Sequence, residues 1–459
     1  MEEHLNKEYV LNELYKAYNY GNLGLFIGAG FSKAVVDNGL DNLALSWGEL
    51  IDEVCERLNV NVPNSEDIKG MSYPEVATRI CEKISEQEGI SYLEAKNIFK
   101  KGICDFTNWL PSEEKRETFS QYLNKINPSW IITTNYDLVI ERLLTGRSKT
   151  LSPKDNLTHP KSIIPIYHLH GVRHEPESIV ITQDDYIPLF RPNEYRQTKL
   201  SLTIKESTTL ILGYQLGDVN VQSAVDWSKN IFPQSKEYPH EIIQAIRKSE
   251  PSSEPYRNIS GNIVIEINEI EDFLQELTDF FIERENEYNT KIEKINELIG
   301  KLTENKAEQV DRFIKSQELR LGLLKLLSRF EQYMVTPYID FMSACIDKTW
   351  ENAAPDGAFD AYDDNLRILL DIVINYEYKK MPPALFEFVC YSLDRVLEYV
   401  GDYISPIPYG KSFKATSTWH NKKKEIPLEM LEQFYHFSKY KYSRLFRKVK
   451  VLVPHGTIK

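Results

Sequence analysis

Three short polar segments, each following an apolar run, contain the residue types that a nucleotide pocket uses. They are Gly28-Ala29-Gly30-Phe31-Ser32, Thr134-Asn135-Tyr136-Asp137 and His170-Gly171. A glycine turn lets backbone amides approach a pyrophosphate, and the N-terminus of a following helix favours its negative charge. An amide and a carboxylate at a strand end can hold polar groups of a ligand, and a neutral imidazole can take a proton from a hydroxyl or from water. Together the three segments predict one pocket.

The first two segments also have purely structural explanations. A lone Gly-x-Gly is more often a tight turn than a nucleotide site, and the third glycine of the dinucleotide fingerprint is replaced here by Lys33. Asn135 and Asp137 follow a strand, where both residue types favour a helix cap. Taken alone, these patterns favour the turn and the cap.

A histidine pair and one further segment each allow either a structural or a chemical interpretation. His168 and His170 would bind a metal if a carboxylate such as Asp137 joined them, but no further ligand cluster is visible in the sequence. We therefore expect His168 to be a packed or hydrogen-bonded core histidine. The segment from Gly213 to Asp218 follows another strong strand, where a glycine permits close backbone approach. A structural turn and a ligand contact are equally consistent with it.

The elements that must position these segments are the strands of an α/β sheet. Apolar or β-branched runs predict strands over residues 23–27, 129–133, 163–170, 178–182, 208–212 and 262–267. Helical patterns separate several of these runs, which is typical of a doubly wound, Rossmann-like parallel sheet. Such sheets bind ligands outside the carboxyl ends of their strands, where the polar segments fall.

Helical patterns account for the remainder of the chain. A capping box that begins at Ser46 opens a helical run of nearly eighty residues, which predicts an inserted subdomain over about 47–125. We expect this subdomain to lie within a catalytic domain formed by residues 1–285. Apolar stripes at helical spacing then fill residues 286–459 and predict an all-helical second domain with a regulatory or assembly role. The clearest individual helices are predicted over 5–20, 365–376, 384–400 and 428–449.

Composition excludes several classes of protein. The chain of 459 residues has no run of eighteen apolar residues and opens on a polar segment, so we expect a cytoplasmic protein with no membrane contact. Its five cysteines form no Cys-x-x-Cys pair, which argues against a structural zinc site and favours buried, free thiols.

The charge is unevenly spread along the chain. Residues 411–459 carry +9, which leaves −22 on the rest of a chain whose net charge is −13. An acidic body argues against direct nucleic-acid binding. The basic tail is more simply a solvated helix face than a docking surface for an acidic partner.

Taken together, the motifs resemble those of the sirtuin superfamily, whose members break the bond between nicotinamide and ribose in NAD. The resemblance rests on the three polar segments and on residues 212–220, and it covers roughly residues 20–285. It implies that Asn135 positions the ribose or a water, that His170 is the catalytic base, and that Asp137 holds the nicotinamide end. The residues implied to contact NAD are Gly28, Ala29, Gly30, Phe31, Ser32, Thr134, Asp137, Gly171, Gly213, Tyr214 and Asp218.

Two departures decide which branch of the superfamily the chain is similar to. It lacks the four zinc cysteines of the protein deacylases, and residues 37–47 lack their cofactor loop. It resembles instead the bacterial sirtuin-related NAD hydrolases of antiphage defence. The resemblance therefore implies an NAD glycohydrolase that releases nicotinamide and ADP-ribose, uses NAD as its substrate and needs no metal. An NAD-dependent protein deacylase, or a non-catalytic nucleotide-binding module of a larger assembly, are the alternatives.

Depletion of NAD harms the host cell, so we expect activity only after infection, as in abortive infection. The expected partners are further copies of the chain, a second defence protein or a phage-derived trigger. The predicted helical domain and the basic tail are the candidate surfaces for these partners.

Overall fold

The computed structural model describes residues 5–37, 44–60, 70–155, 163–190, 195–214, 240–304, 306–327, 336–354 and 359–454. The chain divides into two compact units, Met1–Glu283 and Arg284–Lys459. The first unit holds a sheet with helices around it, and the described part of the second is helical.

The described strands of the first unit form one sheet of eight, in the order β3-β4-β2-β1-β5-β6-β8-β7. Every pairing is parallel except that of β7 with β8. The strands are β1 (Leu23–Ile27), β2 (Trp130–Thr133), β3 (Ser148–Leu151), β4 (Ile164–His168), β5 (Thr208–Leu212), β6 (Ile242–Arg247), β7 (Tyr256–Arg257) and β8 (Ile263–Ile267). The predicted fold class is confirmed: this is an α/β protein with a doubly wound, Rossmann-like sheet followed by a helical region.

The central strands are short, apolar and completely buried. β1 is the pivot, because it pairs with β2 on one side and with β5 on the other. The register aligns Ile27 with both Thr133 and Leu212, and Thr133 in turn with His168. The last residues of β1, β2, β4 and β5 therefore form one row across the carboxyl edge of the sheet.

Helices cover the sheet and extend from it. Asn6 accepts a hydrogen bond from the amide of Tyr9 and so caps the first helix, and Gly21 ends that helix in a left-handed conformation. The predicted capping box is present, since Ser46 and Glu49 exchange hydrogen bonds at the start of the third helix. The helices that begin in the first unit are α1 (Lys7–Tyr20), α2 (Ala29–Val36), α3 (Trp47–Arg57), α4 (Tyr73–Glu88), α5 (Tyr92–Phe106), α6 (Glu113–Ile126), α7 (Val139–Leu143), α8 (Gln183–Tyr186), α9 (Tyr195–Lys205) and α10 (Ile270–Thr303).

The predicted insertion contains two different kinds of helix. Helices α3 to α5 pack around a hydrophobic core of their own, and we call this group the helical subdomain. Helix α6 instead buries Phe119 and Leu123 in the core that contains the sheet. The subdomain thus spans α3 to α5, while the end of the predicted range belongs to the layer that covers the sheet.

One predicted strand is wrong. Residues 178–182 form no strand: Ser178 ends a short 3-10 helix and Thr182 precedes α8. Their apolar side chains are buried because Ile179 and Ile181 pack into the core of the helical subdomain. Three strands were not predicted, namely β3, β6 and β7, and of these β3 and β7 lie at the two edges of the sheet.

The second unit buries a large hydrophobic core between its helices. The predicted helix over 428–449 is two helices, broken at residues 439–442. The helices that lie wholly in this unit are α11 (Lys306–Lys315), α12 (Gln317–Leu327), α13 (Thr336–Ala353), α14 (Asp360–Asn375), α15 (Pro383–Val396), α16 (Phe413–Lys422), α17 (Leu428–Ser438) and α18 (Ser443–Lys450).

Part of the basic tail is paired within its own unit. The nearly buried Lys448 contacts Asp402 at 2.7 Å, and Lys422 contacts the buried Asp371 at 3.1 Å. Lys414, Lys441 and Arg444 also form ion pairs with acidic residues of this unit. These contacts reduce the charge that the tail offers to a partner.

All five cysteines are free and buried, as predicted. Burial raises the pKa of the Cys81 and Cys345 thiols to about 12, so both stay protonated at neutral pH. Within the described residues, no helix has the length and apolar character needed to cross a membrane.

Candidate active site

The polar segments predicted from the sequence meet at the carboxyl edge of the sheet. The aligned row of strand ends places the glycine loop (residues 28–32), the asparagine loop (residues 134–138), His170 and Gly213 on four adjacent strands. Adjacent strands lie about 4.8 Å apart. The chain leaves β1 toward β2 on one side and β5 lies on the other, which makes this edge the switch point where open α/β sheets bind ligands.

The glycines of the first loop are required by contact with the end of β5. The amides of Gly28 and Gly30 donate to the carbonyl oxygens of Leu212 and Gly213, each at 2.9 Å. A Cβ at Gly213 would lie 2.2 Å from the Phe31 nitrogen, and Gly213 has a φ of +63°. The two loops thus pack backbone against backbone, and the amides of Gly28 and Gly30 already have partners within the protein.

The side chains of Phe31 and Ser32 are both removed from solvent. Phe31 is completely buried and its ring packs edge-on against Phe119 at 5.7 Å. Only the backbone of Phe31 is therefore placed to approach a nucleotide. Ala29 begins helix α2, so this loop is the N-terminus of a helix that points at the edge of the sheet.

Ser32 links the two polar residues of the asparagine loop. Its hydroxyl donates to Asp137 Oδ2 at 3.0 Å and accepts from Asn135 Nδ2 at 3.0 Å. An ionised carboxylate only accepts hydrogen bonds, so the serine proton points to Asp137 and its lone pair faces the asparagine amide. This fixes which way the Asn135 amide is turned: its oxygen, Oδ1, lies on the side away from Ser32.

Asp137 is buried, with 2% of its surface exposed, and both of its oxygens have partners. The second oxygen accepts from the amide of Val139 at 2.9 Å, which is the helix-cap contact that the sequence pattern allowed. Burial raises the pKa of Asp137 to about 6, against the lowering effect of the Val139 amide, Ser32 and His168. Its predicted contact with the nicotinamide end of NAD stays a prediction.

The backbone of Asn135 is held as firmly as its side chain. Its amide donates to the hydroxyl of Thr133 at 3.0 Å, and that hydroxyl donates to the Ile27 carbonyl at 2.8 Å. Its carbonyl lies 2.9 Å from His168 Nδ1, and the other ring nitrogen of His168 lies 2.8 Å from Glu141 Oε1. His168 is 1% exposed, so the prediction of a hydrogen-bonded core histidine is confirmed.

His170 lies in the turn that follows β4, and 5% of its surface is exposed. Its ring stands edge-on to that of Tyr186 at 5.4 Å, and its carbonyl accepts from the amide of Val180 at 2.7 Å. Gly171 has a φ of +97°, and a Cβ there would lie 2.4 Å from the Ser178 carbonyl oxygen. Glycine is thus needed at 171 for the chain to turn back beside the histidine.

The segment that turns back is fastened to the helical subdomain. The buried Lys100 contacts Asp185 at 2.8 Å, and Lys96 bridges Asp184 and Asp185. Although burial raises the pKa of Asp185, the contact with Lys100 brings it below its usual value. Tyr186, the neighbour of His170, therefore sits on a helix whose acidic residues are held by the subdomain.

The structure gives less detail for the remaining residues that were predicted to contact NAD. Thr134 is partly buried in the asparagine loop, and Tyr214 is partly buried with its ring 4.8 Å from that of Phe26. The prediction for Asp218 falls outside the described residues. In the described ranges, no group of three or more His, Cys, Asp or Glu side chains has an arrangement able to hold a metal ion.

Residues 129–265, which include the asparagine loop, His170 and the end of β5, match the family model of the SIR2-like domain. Over this range the chain is similar to a SIR2-like domain. The resemblance to the sirtuin superfamily seen in the motifs is thereby confirmed.

The names of three curated relatives agree with the match to the SIR2-like model. An NAD(+) hydrolase ThsA of Acinetobacter baumannii (strain 532279) is 25% identical over 265 residues, covering 55% of this chain and 48% of the relative. A ThsA of Enterococcus faecium is 24% identical over 226 residues, covering 48% and 42%. Defense-associated sirtuin 2 of Bacillus subtilis is 26% identical over 200 residues, covering 39% and 19%. The alignment thus spans about half or less of each relative.

Several residues that shape the site had not been assigned a role from the sequence. Thr133 accepts a hydrogen bond from the Asn135 amide, Glu141 contacts His168, and Tyr186 lies against His170. Glu141 lies four residues after Asp137, a spacing that ordinary surface helices share. Glu141 lies on α7, which follows β2, and it meets His168 in the fold because β2 pairs with β4.

Proposed function

We propose that this protein is an NAD glycohydrolase that cleaves NAD to nicotinamide and ADP-ribose. The observation that carries the proposal is the hydrogen-bond chain in which Asn135 donates to Ser32 and Ser32 donates to Asp137. This chain fixes the orientation of the Asn135 side-chain oxygen at the end of β2, next to β4, the strand that leads to His170. An oriented amide oxygen and a histidine are what the attack of water on a ribosyl centre needs.

The reaction breaks the bond between the nicotinamide nitrogen and the anomeric carbon of the ribose. Nicotinamide leaves with the bonding electron pair, and the ribose passes through an oxocarbenium-like state as in glycoside hydrolysis. Asn135 Oδ1 accepts a hydrogen bond from the incoming water and directs its oxygen to the anomeric carbon. His170 takes the proton that this water loses, which yields ADP-ribose.

The comparisons support the proposal at low identity. Two of the curated relatives are named as NAD hydrolases and the third as a defence-associated sirtuin. We extend these names to the present chain as a defence role in which infection switches on NAD cleavage. The second unit, assembled with further copies of the chain or with another protein, is the proposed sensor of that switch.

The direct test is turnover by the purified protein. NAD is expected to disappear with equal release of nicotinamide and ADP-ribose, measured by liquid chromatography. Asn135→Ala and His170→Ala should each abolish NAD loss and keep the circular dichroism spectrum of the wild type. Asn421→Ala and His436→Ala are matched controls, because both residues are exposed in the second unit.

If either active-site variant retained near-wild-type turnover, the site assignment would be wrong. Formation of an acyl-ADP-ribose from an acylated peptide would identify a deacylase instead. NAD binding without turnover, in cells before and after phage challenge, would point to a non-catalytic module. In the cellular arm, the proposal expects NAD to fall only after infection and only with the wild-type chain.

A further inference from the structure

His168 is bonded at both ring nitrogens to atoms that only accept hydrogen bonds. Nδ1 lies 2.9 Å from the Asn135 carbonyl oxygen, and Nε2 lies 2.8 Å from Glu141 Oε1. A carbonyl has no proton to offer, and neither has a carboxylate that is ionised. Although burial raises the pKa of Glu141, its contacts with His168 and Thr150 bring it below its usual value, so the carboxylate is ionised at neutral pH. Both nitrogens of His168 must therefore carry hydrogen, and the ring is an imidazolium.

The surroundings of His168 stabilise that charge. The side chain has no exposed surface, and Glu141 is 15% exposed. Although burial lowers the pKa of His168, Glu141, the Asn135 carbonyl and the more distant Asp137 raise it above its usual value. Thr150 donates to the same Glu141 oxygen at 2.9 Å and so fixes the carboxylate. Glu141 and Asp137 are the charged groups that act on the ring.

The imidazolium makes one of three hydrogen bonds that fix Asn135 in place. Thr133 accepts from its amide, Ser32 accepts from its side chain, and His168 donates to its carbonyl. The first two contacts come from β2 and α2, while the third comes from β4, the strand that leads to His170. His168 is thus the link between the residue that orients water and the strand that carries the base.

We propose that His168 is a positioning residue: as a buried imidazolium paired with Glu141, it holds the Asn135 backbone in the geometry that turnover requires. This inference rests on the proposed function for its kinetic consequences, and on the hydrogen-bond geometry together with the ionised Glu141 for the charge state of the ring.

Two amide substitutions separate the contacts of the ring. Asparagine places its side-chain nitrogen near the position of Nδ1, so His168→Asn keeps a donor for the Asn135 carbonyl and loses the partner of Glu141. Glutamine reaches nearer to Nε2, so His168→Gln keeps a donor for Glu141 and loses the hold on Asn135. A merely structural role would give the two variants similar kinetics.

We expect His168→Gln to lower kcat by about 10- to 100-fold with a smaller change in KM, because displacing a reactive group by about 1 Å costs about that much. His168→Asn should retain several-fold more activity than His168→Gln. The matched control is His174→Gln, since His174 has half of its side chain exposed in the same unit. Equal kcat values for the two His168 variants would overturn the positioning role.

Glu141→Gln tests the charge of the ring by a pH profile. Without the carboxylate, the imidazolium loses its ionic partner and its pKa falls. In 15N spectra recorded across a pH series, the His168 ring of the variant should therefore lose one of its two protons at a lower pH than the wild-type ring does. A profile identical to that of the wild type would contradict the ion pair.

The resting protein offers a test that does not depend on activity. In protein labelled with 15N at histidine and asparagine, the His168 ring should show two protonated nitrogens at pH 7.5, identified by their loss in His168→Asn. The side-chain amide signal of Asn135 should move in His168→Gln and stay near its wild-type position in His168→Asn.

A neutral His168 ring, or an unmoved Asn135 signal, would refute this inference even if NAD is hydrolysed. Both signals as expected in a protein that never turns over NAD would instead refute the proposed function alone.

Discussion

Replacing Asp137 with asparagine tests whether the group that accepts from Ser32 is a buried, ionised carboxylate. In the wild type, Asp137 accepts from Ser32 and from the Val139 amide while almost wholly buried. Asparagine keeps the shape and the acceptor for Val139, and it never ionises. The variant should therefore lack the pH dependence of stability that Asp137 gives to the first unit.

The size of that dependence follows from the raised pKa. Burial raises the pKa of Asp137 from 3.8 to about 6, so the folded protein holds the proton more tightly than the unfolded chain. The free energy of unfolding then falls as pH rises from about 4 to about 6, and it stays at its lower level above that range. At about 1.4 kcal/mol for each pKa unit, the full effect is about 3 kcal/mol, of which about 2 kcal/mol appears between about pH 4.5 and pH 7.5.

The assay must report on the first unit alone, because the chain has two units and its unfolding need not be a single transition. Protein is equilibrated in urea at each pH and then given a hydrogen-exchange pulse at one fixed pH, and peptides covering β1 and β2 are followed by mass spectrometry. Between about pH 4.5 and pH 7.5, the free energy of unfolding of Asp137→Asn should rise by about 2 kcal/mol relative to that of the wild type. An unchanged difference across that range would refute the buried, ionisable carboxylate.

The other predictions concern the site, the metal and the assembly. Asn135→Ala and His170→Ala should abolish NAD loss without unfolding, as measured by product release and circular dichroism. Gly213→Ala should lower the free energy of unfolding by about 3 kcal/mol or more, since its Cβ would meet the Phe31 nitrogen at 2.2 Å, whereas Gly146→Ala, with a φ of +78° and open space, should cost about 1 kcal/mol. Chelator-treated protein should hydrolyse NAD at an unchanged rate, and a loss that zinc restores would contradict this. Light scattering at low and high salt should show an oligomer that needs residues 284–459, and a monomer with full activity after their removal would refute that role.

The sequence predicted β1, β2, β4 and β5 because each is a short, largely apolar run between turn residues. The same rule failed at 178–182, where an equally apolar run is buried against helices and not in the sheet. Edge strands such as β3, with its partly exposed Ser148 and exposed Lys149, lack the apolar signal altogether. Burial can be read from composition, but the partner that buries a segment cannot.

At the site, the sequence by itself determined which residues stand at the strand ends, since a parallel strand followed by Gly, Asn or His presents that residue at the carboxyl edge. It also determined the sirtuin resemblance, which rests on the order of those residues. Only the tertiary structure decided how they are held: the Ser32 hydroxyl between Asn135 and Asp137, and His168 between Asn135 and Glu141. The physical reason is that hydrogen-bond direction and proton position depend on which donor faces which acceptor across elements distant in sequence, and only the packing of strands and helices in the folded chain sets that.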